Sequence, residues 1–153
     1  MEIKFVEGSG KHIPECANAL KHSKLGEIYF EIEDSAITEI SAFVELNTLL
    51  VAIDENQNFI GFVCYILNGA FHSFPYLHII TIAEKERNKG YGTKVMDLFE
   101  KQMFMKHSKI FLVVADFNPS AKAFYENRGY KQVGAIPDLY RTNIVEYLMM
   151  KER

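Results

Sequence analysis

The amino-acid sequence predicts a mixed α/β fold, with helices and strands combined in one domain over residues 1–153. Length is the first reason, because 153 residues suffice for one compact core and are too few for two ordinary domains. Composition is the second, since 48% of the residues are apolar and twelve Phe and eight Tyr supply area for a core. The third is periodicity, which predicts elements in the order β-α-α-β-β-β-α-β-α-β-β. This order combines antiparallel hairpins with helical crossovers.

The first half of the chain predicts two helices and three strands. Alternating apolar residues indicate strands, and an apolar residue every three or four positions indicates a helix. The predicted elements are a strand at 2–7, a helix within 8–23 that has Pro14 in its first turn, a helix at 36–46 with Ile37, Ile40 and Val44 on one stripe, and a hairpin of strands at 48–53 and 59–67. Between the two helices, LGEIYFEIEDS (25–35) is both acidic and aromatic.

The second half begins with a turn-rich loop at 68–75 and a strand at 76–82. A helix starting near Gly90 carries Tyr91, Val95, Phe99 and Met103 on one stripe, and KIFLVVA (109–115) predicts a buried strand. Asn118 as N-cap, Pro119 at the first helical position and Gly129 just past the end predict a short helix at 119–128. Two strands, at 130–136 and 143–151, close the chain.

Charge, the length of apolar runs and cysteine spacing argue against nucleic-acid, membrane and metal partners. Seventeen Lys and Arg against twenty Asp and Glu give a formal net charge of −3, which does not attract a polyanion, so no nucleic-acid partner is expected. The longest apolar runs, such as 110–115, are too short to span a bilayer, so no membrane partner is expected. Cys16 and Cys64 lie far apart with no metal-ligand spacing. We therefore expect a cytoplasmic protein with no metal.

The stretch ERNKGYGTK (86–94) contains two glycines one residue apart. A dinucleotide fingerprint would need a third glycine where the chain has Val95, and a P-loop would need four residues between its glycines, so a nucleotide-binding module is disfavoured. A helix N-terminus with bare backbone, by contrast, binds phosphate. Arg87 and Lys89 would add mobile positive charge at its rim. A turn that uses glycine only for its geometry is the alternative.

Two motifs resemble those of the GCN5-related N-acetyltransferases, the GNAT superfamily. RNKGYGT (87–93) resembles the family's Arg/Gln-x-x-Gly-x-Gly/Ala, and NPSAKAFYENRGY (118–130) resembles its Asn-x-x-Ala-x-x-Phe/Leu-Tyr-x-x-x-Gly-Phe/Tyr. Glu84 departs from the pattern, because many members carry proline there. The resemblance implies a central mixed, mostly antiparallel sheet of about seven strands, splayed between the fourth and fifth strands and flanked by about four helices.

The resemblance also implies the cofactor, acetyl-coenzyme A, and the residues that bind it. The pantetheine arm would bond to the backbone of Ile80, Thr81 and Ile82. The pyrophosphate would bind the amides of the first motif, and the second motif would add three residues. The first set is Arg87, Asn88, Lys89, Gly90, Tyr91, Gly92 and Thr93, and the second is Asn118, Phe124 and Tyr125. For Asn118, the N-cap role is an equal alternative.

Two residues are candidates for proton transfer. Tyr125 matches the family's tyrosine that gives a proton to the departing thiolate, a task that suits a phenol, and packing is the alternative. His78 is the candidate base, because an imidazole suits proton transfer and this residue shares a strand face with Ile80 and Ile82. A structural role for His78 is equally open. Tyr76, one step further along the same face, is a weaker candidate base.

The acidic and aromatic stretch is the candidate acceptor site, since in the family this region borders the acceptor pocket. Tyr29, Phe30, Glu31 and Glu33 would attract and cover a cationic amine. A solvated charge cluster beside core aromatics is the alternative. The resemblance therefore implies transfer of an acetyl group to a primary amine of a small molecule or peptide, by direct attack in a ternary complex. A non-catalytic acyl-coenzyme A sensor is the alternative function. The acceptor's identity stays open, and a homodimer is one option for the assembly.

Overall fold

The computed structural model describes all 153 residues and contains seven strands and five α-helices. The elements are β1 (Ile3–Glu7), α1 (Ile13–Lys21), α2 (Lys24–Tyr29), α3 (Ser35–Glu45), β2 (Leu49–Asp54), β3 (Phe59–Ala70), β4 (Phe74–Ile82), α4 (Tyr91–Phe104), β5 (Lys109–Ala115), α5 (Pro119–Asn127), β6 (Lys131–Pro137) and β7 (Val145–Glu152). Short 3-10 turns lie at Gly10–His12 and Glu84–Glu86. This composition confirms the predicted mixed α/β fold.

The strands form one sheet in the order β1-β2-β3-β4-β5-β7-β6. Strand β1 pairs antiparallel with β2, β2 with β3, β5 with β7 and β6 with β7. Strands β4 and β5 are parallel, with Tyr76 opposite Phe111 and Leu77 opposite Leu112 near the start of β4. The sheet is therefore mixed and mostly antiparallel, and a parallel register at the start of β4 agrees with the splay predicted between the fourth and fifth strands.

The chain divides into two compact units, and the expectation of a single domain over residues 1–153 stays a prediction. The first unit comprises Met1–Tyr65 and Ile79–Gln102. Its core lies where α1 and α3 pack on β2 and β3, and side chains such as Leu20, Ile40 and Phe62 are fully buried there. The predicted stripe of α4 is also buried at every position: Tyr91, Val95, Phe99 and Met103 are at most 9% exposed.

The second unit comprises Ile66–His78 and Met103–Arg153. Helix α5 begins as its boundary signals predict, because the Asn118 side chain accepts a hydrogen bond from the Ala121 backbone N–H. It ends before Gly129, whose φ of 96° lies in the left-handed region. Strand β5 coincides with the predicted strand at 109–115.

The second helix of the structure, α2, is missing from the sequence prediction. Its six residues are too few to show a periodic pattern, and Gly26 lowers its helix propensity. The helix forms because Ser23 caps it, with the Ser23 Oγ atom accepting from the Gly26 N–H at 3.0 Å. Glycine is needed there, since a Cβ atom on Gly26 would overlap the Leu20 carbonyl oxygen.

Two other predictions need correction. The loop placed at 68–75 is wrong, because β3 extends to Ala70 and β4 begins at Phe74, so that the connection is only residues 71–73. The stripe predicted for α3 is wrong at Ile37, which is 45% exposed, and the buried positions are Ala36, Ile40 and Phe43. Both errors have one cause: a local pattern does not show which turn residues tolerate a positive φ or which helix face meets the sheet. None of the helices is both long and apolar enough to cross a membrane.

Candidate active site

The loop between β4 and α4 presents backbone in an open arrangement. Asn88 and Gly90 have positive φ angles of 61° and 83°, which turn the chain sharply before α4 begins at Tyr91. A Cβ atom built on Gly90 would meet nothing within 4 Å, and the side chains of Asn88, Lys89 and Thr93 are exposed. The N–H groups of a helix's first turn have no carbonyl within the helix to bond. We call residues 87–93 the cradle loop, and its geometry suits a phosphate.

Strand β4 leads into this loop with one half-buried face. Tyr76, His78, Ile80 and Ile82 are half-buried, whereas the residues between them are buried, so the face that the sequence predicts for His78 is present. Thr81 lies on the buried face, and its hydroxyl has no hydrogen-bond partner. The Thr81 hydroxyl is therefore not on the half-buried face that carries His78.

The two cations of the cradle loop are engaged by the protein. The Arg87 guanidinium donates to three carbonyl oxygens: from Nε to Ile82 at 3.0 Å, from Nη1 to His22 at 2.9 Å and from Nη2 to Ala19 at 3.5 Å. The expectation of a mobile rim charge is therefore wrong for Arg87. Lys89 pairs with Glu86 at 3.2 Å, and because this pair is at the surface it holds the lysine only weakly.

Tyr125 lies in the second unit on the inner side of α5. Its side chain is 9% exposed, and its ring contacts the rings of Phe124 and Tyr130 at centroid distances of 5.4 and 5.7 Å. Burial raises the pKa of Tyr125 well above its ordinary value, and the nearby Arg128 opposes this effect weakly. The phenol therefore keeps its proton at neutral pH, as a proton donor must. Asn118 holds the start of the same helix.

His78 lies next to a pair of tyrosines. Its ring centroid is 6.0 Å from that of Tyr76, and the Tyr76 hydroxyl lies 3.3 Å from the hydroxyl of Tyr140. Burial, and then the hydrogen bond to Tyr140, raise the pKa of Tyr76 well above its ordinary value. Tyr76 is therefore unsuited to act as a base at neutral pH, which leaves His78 as the candidate on this face.

The acidic stretch borders a cavity of about 590 Å³ in the first unit. Phe30, Glu31 and Glu33 line it together with Ile32 and Asp34, and their role in acceptor binding stays a prediction. Tyr29, at the end of α2, is not among the lining residues. The three carboxylates give this cavity the charge that a cationic amine would require.

Sequence reasoning did not find the opposite wall of this cavity. Helix α1 contributes Pro14, Ala17, Asn18 and Lys21, which recur at helical spacing and so share one face. That spacing was available in the sequence, but small and uncharged residues at three of the four positions give no chemical signal. Tyr140 was also missed, because it lies in the irregular segment between β6 and β7.

The fold and the open helix terminus at Gly90 define an α/β protein whose cradle loop has a geometry that suits a phosphate. The family model of the Acetyltransferase (GNAT) family matches residues 16–130. The chain belongs to this family. It is a family of acetyltransferases whose acyl donor is acetyl-coenzyme A, as the two motifs predict.

Individual proteins resemble this chain in sequence or in fold. The uncharacterized protein YdhI of Bacillus subtilis (strain 168) is 30% identical over 88 residues, which are 57% of this chain and 52% of that protein, so the match spans about half of its length. A chimera of the spermidine N-acetyltransferase SpeG from Vibrio cholerae and hSSAT has a similar structure, with a TM-score of 0.79 at 22% identity over 99% of this chain and 96% of that one. An aminoglycoside 6'-N-acetyltransferase complexed with coenzyme A has a TM-score of 0.77 at 18% identity over 99% and 97%. At these identities, the structural similarity shows the fold.

Proposed function

We propose that this protein transfers an acetyl group from acetyl-coenzyme A to a primary amine of a small molecule or peptide, by direct attack in a ternary complex. One observation carries the proposal: in a member of this family, Gly90 holds a positive φ with open space around it, at the start of α4. Glycine at that place keeps the backbone of the cradle loop accessible. Cytoplasmic location is part of the proposal, because Cys16 and Cys64 are free thiols.

The residues of the first unit fit the coenzyme. The amides of the cradle loop would bind the pyrophosphate, and the backbone of Ile80, Thr81 and Ile82 would bond to the pantetheine arm. The Ile82 carbonyl accepts a hydrogen bond from Arg87, and the proposal assigns the Ile82 N–H to the ligand. Asn118 and Phe124 complete the proposed binding set. When bound, the coenzyme supplies an acetyl thioester, whose carbonyl carbon accepts the amine.

The acceptor's nitrogen loses two protons in the reaction, and the sulfur of the coenzyme gains one. His78, through a water molecule, would take the first proton from the ammonium of the acceptor, so that the free amine can attack. A backbone N–H of Ile80 or Ile82 would stabilise the negative charge on the thioester carbonyl oxygen as the C–N bond forms and the C–S bond breaks. Tyr125, which its raised pKa keeps protonated, would donate its proton to the departing thiolate, and the second proton from the nitrogen would replace it.

The acceptor proposed is a small polycation or a basic peptide end. The cavity beside Glu31 and Glu33 supports this, since its carboxylates favour a cation and the Phe30 ring offers a face for methylene groups. The two similar structures are named as acetyltransferases of spermidine and of an aminoglycoside, both of which carry several amines. We also propose that the Tyr29 side chain contacts the bound amine.

Thiol release from acetyl-coenzyme A in the presence of pooled amines tests the proposal. Release that depends on an amine, with Tyr125→Phe as a slower control, is the expected result. Isothermal titration with coenzyme A and with ATP belongs beside it, because only the former is expected to bind. A protein that binds acetyl-coenzyme A and releases no thiol with any amine would be an acyl-coenzyme A sensor, and the proposal would be wrong.

A further inference from the structure

The Arg87 side chain links two parts of the first unit that are far apart in sequence. Arg87 begins the cradle loop, and its guanidinium reaches the last turn of α1, where it bonds the carbonyls of Ala19 and His22. A cation at this place is favourable, because a helix ends in carbonyl groups that lack partners within the helix. The third bond, to Ile82, fixes the guanidinium against the end of β4.

The end of α1 is closely packed around these bonds. The Leu20 carbonyl accepts from the Ser23 backbone N–H at 3.1 Å and from the Ser23 hydroxyl at 2.6 Å. A Cβ atom on Gly26 would overlap the same carbonyl, so α2 begins directly against α1. The carbonyls of Ala19 and His22 accept from Arg87, and the carbonyl of Leu20 accepts from Ser23. All three carbonyls therefore have a hydrogen-bond donor. A shift of Arg87 would therefore break its bonds to the end of α1, directly before the start of α2.

This junction also borders the acidic cavity. Asn18 and Lys21 line the cavity from the last turns of α1, and α2 leads directly to Phe30 and Glu31 on the other side. One side chain thus connects the loop proposed to bind pyrophosphate with the helix that forms a wall of the proposed acceptor cavity. The planar fork of arginine suits this connection, since it donates in several fixed directions at once, as a lysine does not.

We propose that Arg87 is a positioning residue that couples coenzyme binding to the α1–α2 junction, and thereby to the acceptor cavity. The inference rests on the proposed function, because it takes the cradle loop as the coenzyme site. A ligand that fixes the backbone of residues 87–93 fixes the root of the Arg87 side chain. The carbonyls of Ala19 and His22 are then held more firmly, and the junction opens less often. Coenzyme binding thereby stabilises the cavity walls that α1 and the residues after α2 contribute to the acceptor site.

Hydrogen exchange with coenzyme A as the probe tests this coupling without knowledge of the acceptor. In the wild type, coenzyme A is expected to slow exchange in residues 88–93 and also in residues 19–26, in the latter by about fivefold or more. In Arg87→Lys, which keeps the charge and loses the fork, slowing is expected in 88–93 and not in 19–26. Arg87→Ala is expected to behave in the same way, and Arg87→Lys serves alone if the alanine variant does not fold.

Lys89→Ala is the matched control, because it removes the same charge from the same loop, and Lys89 bonds Glu86 instead of α1. It is expected to weaken coenzyme binding and to keep the slowing in residues 19–26 at saturation. Slowing in 88–93 alone in the wild type would overturn the coupling and leave the proposed function standing. Equal slowing of 19–26 in Arg87→Lys and the wild type would overturn it as well. No effect in 88–93 would contradict the coenzyme site itself, and the coupling with it.

Discussion

The hydroxyl oxygens of Tyr76 on β4 and Tyr140 in the β6–β7 connection lie 3.3 Å apart, which joins two segments 64 residues apart in sequence. Tyr76 is half-buried, whereas Tyr140 is 49% exposed, so water reaches the pair from the side of Tyr140. The bond therefore fixes the irregular loop that carries Tyr140 beside the strand that carries His78.

Tyr140→Phe should lower the free energy of unfolding by about 0.5–1 kcal/mol, because a typical hydrogen bond contributes this much and water partly replaces the lost partner. Urea unfolding measures the change. Tyr147→Phe is the matched control, because it also removes one tyrosine hydroxyl. The aromatic ring that faces the Lys122 ammonium at 4.5 Å remains in that variant. A loss as large in Tyr147→Phe as in Tyr140→Phe would show that the Tyr76–Tyr140 bond contributes nothing measurable.

Gly90→Ala should lower stability by roughly 1–2 kcal/mol, because an L-residue at a φ of 83° is strained even though its Cβ atom meets no neighbour. The added methyl group would also narrow the cradle loop and weaken coenzyme A binding, which titration calorimetry measures. Gly10→Ala is the control, as the space at Gly10 is equally open and its φ is not positive. Unchanged coenzyme affinity in a folded Gly90→Ala protein would contradict the cradle.

Tyr125→Phe should lower kcat with little change in coenzyme affinity, because the ring contacts with Phe124 and Tyr130 remain and only the proton donor is lost. The expected fall is about 10²-fold or more, the usual contribution of a general acid. Steady-state kinetics with saturating acetyl-coenzyme A measure it. Full activity at all pH values would assign Tyr125 to packing alone.

Alkaline pH should destabilise the protein through its buried tyrosines. The pKa values of Tyr65, Tyr76 and Tyr125 are all raised, chiefly by burial, so the stability that these phenols contribute is fully present below the unfolded-state value of about 10. Above it the unfolded chain loses protons first, and stability falls as pH rises. Tyr125→Phe should make this fall less steep, by up to about 1.4 kcal/mol per pH unit. Urea unfolding between about pH 8 and pH 11 measures both slopes, and equal slopes would contradict the shift at Tyr125.

The sequence predicted the bounds of those helices and strands whose ends carry recognisable residues, such as helix caps. Strand β5 has its predicted bounds, and α5 ends within one residue of its prediction, because N-cap and C-cap residues act on their own helix. Helix α2 was missed because its six residues are too few to show a periodic pattern. The role of the Arg87 side chain was misjudged for a different reason, as its partners His22 and Ala19 lie 65 and 68 residues away. Contacts of that separation leave no mark in a local pattern.

The charge of the acidic cavity should decide which amines react. Glu31 and Glu33 line it together with Asp34, and Lys21 is the one cation among the lining residues. In Glu31→Gln/Glu33→Gln, kcat/KM for spermidine and for an aminoglycoside should fall, by roughly tenfold if each exposed carboxylate contributes about 0.7 kcal/mol. A neutral arylamine should be unaffected, because it has no net charge to attract.

Lys21→Gln is the control of opposite sign. Removal of the one opposing cation should raise kcat/KM for the same polycations, and the gain should shrink as added salt screens the charges. Such paired changes in opposite directions separate electrostatic attraction from damage to the fold, which would lower activity in both variants. If spermidine and the aminoglycoside react equally well in all three proteins, the carboxylates are a solvated surface cluster and the acceptor is bound elsewhere.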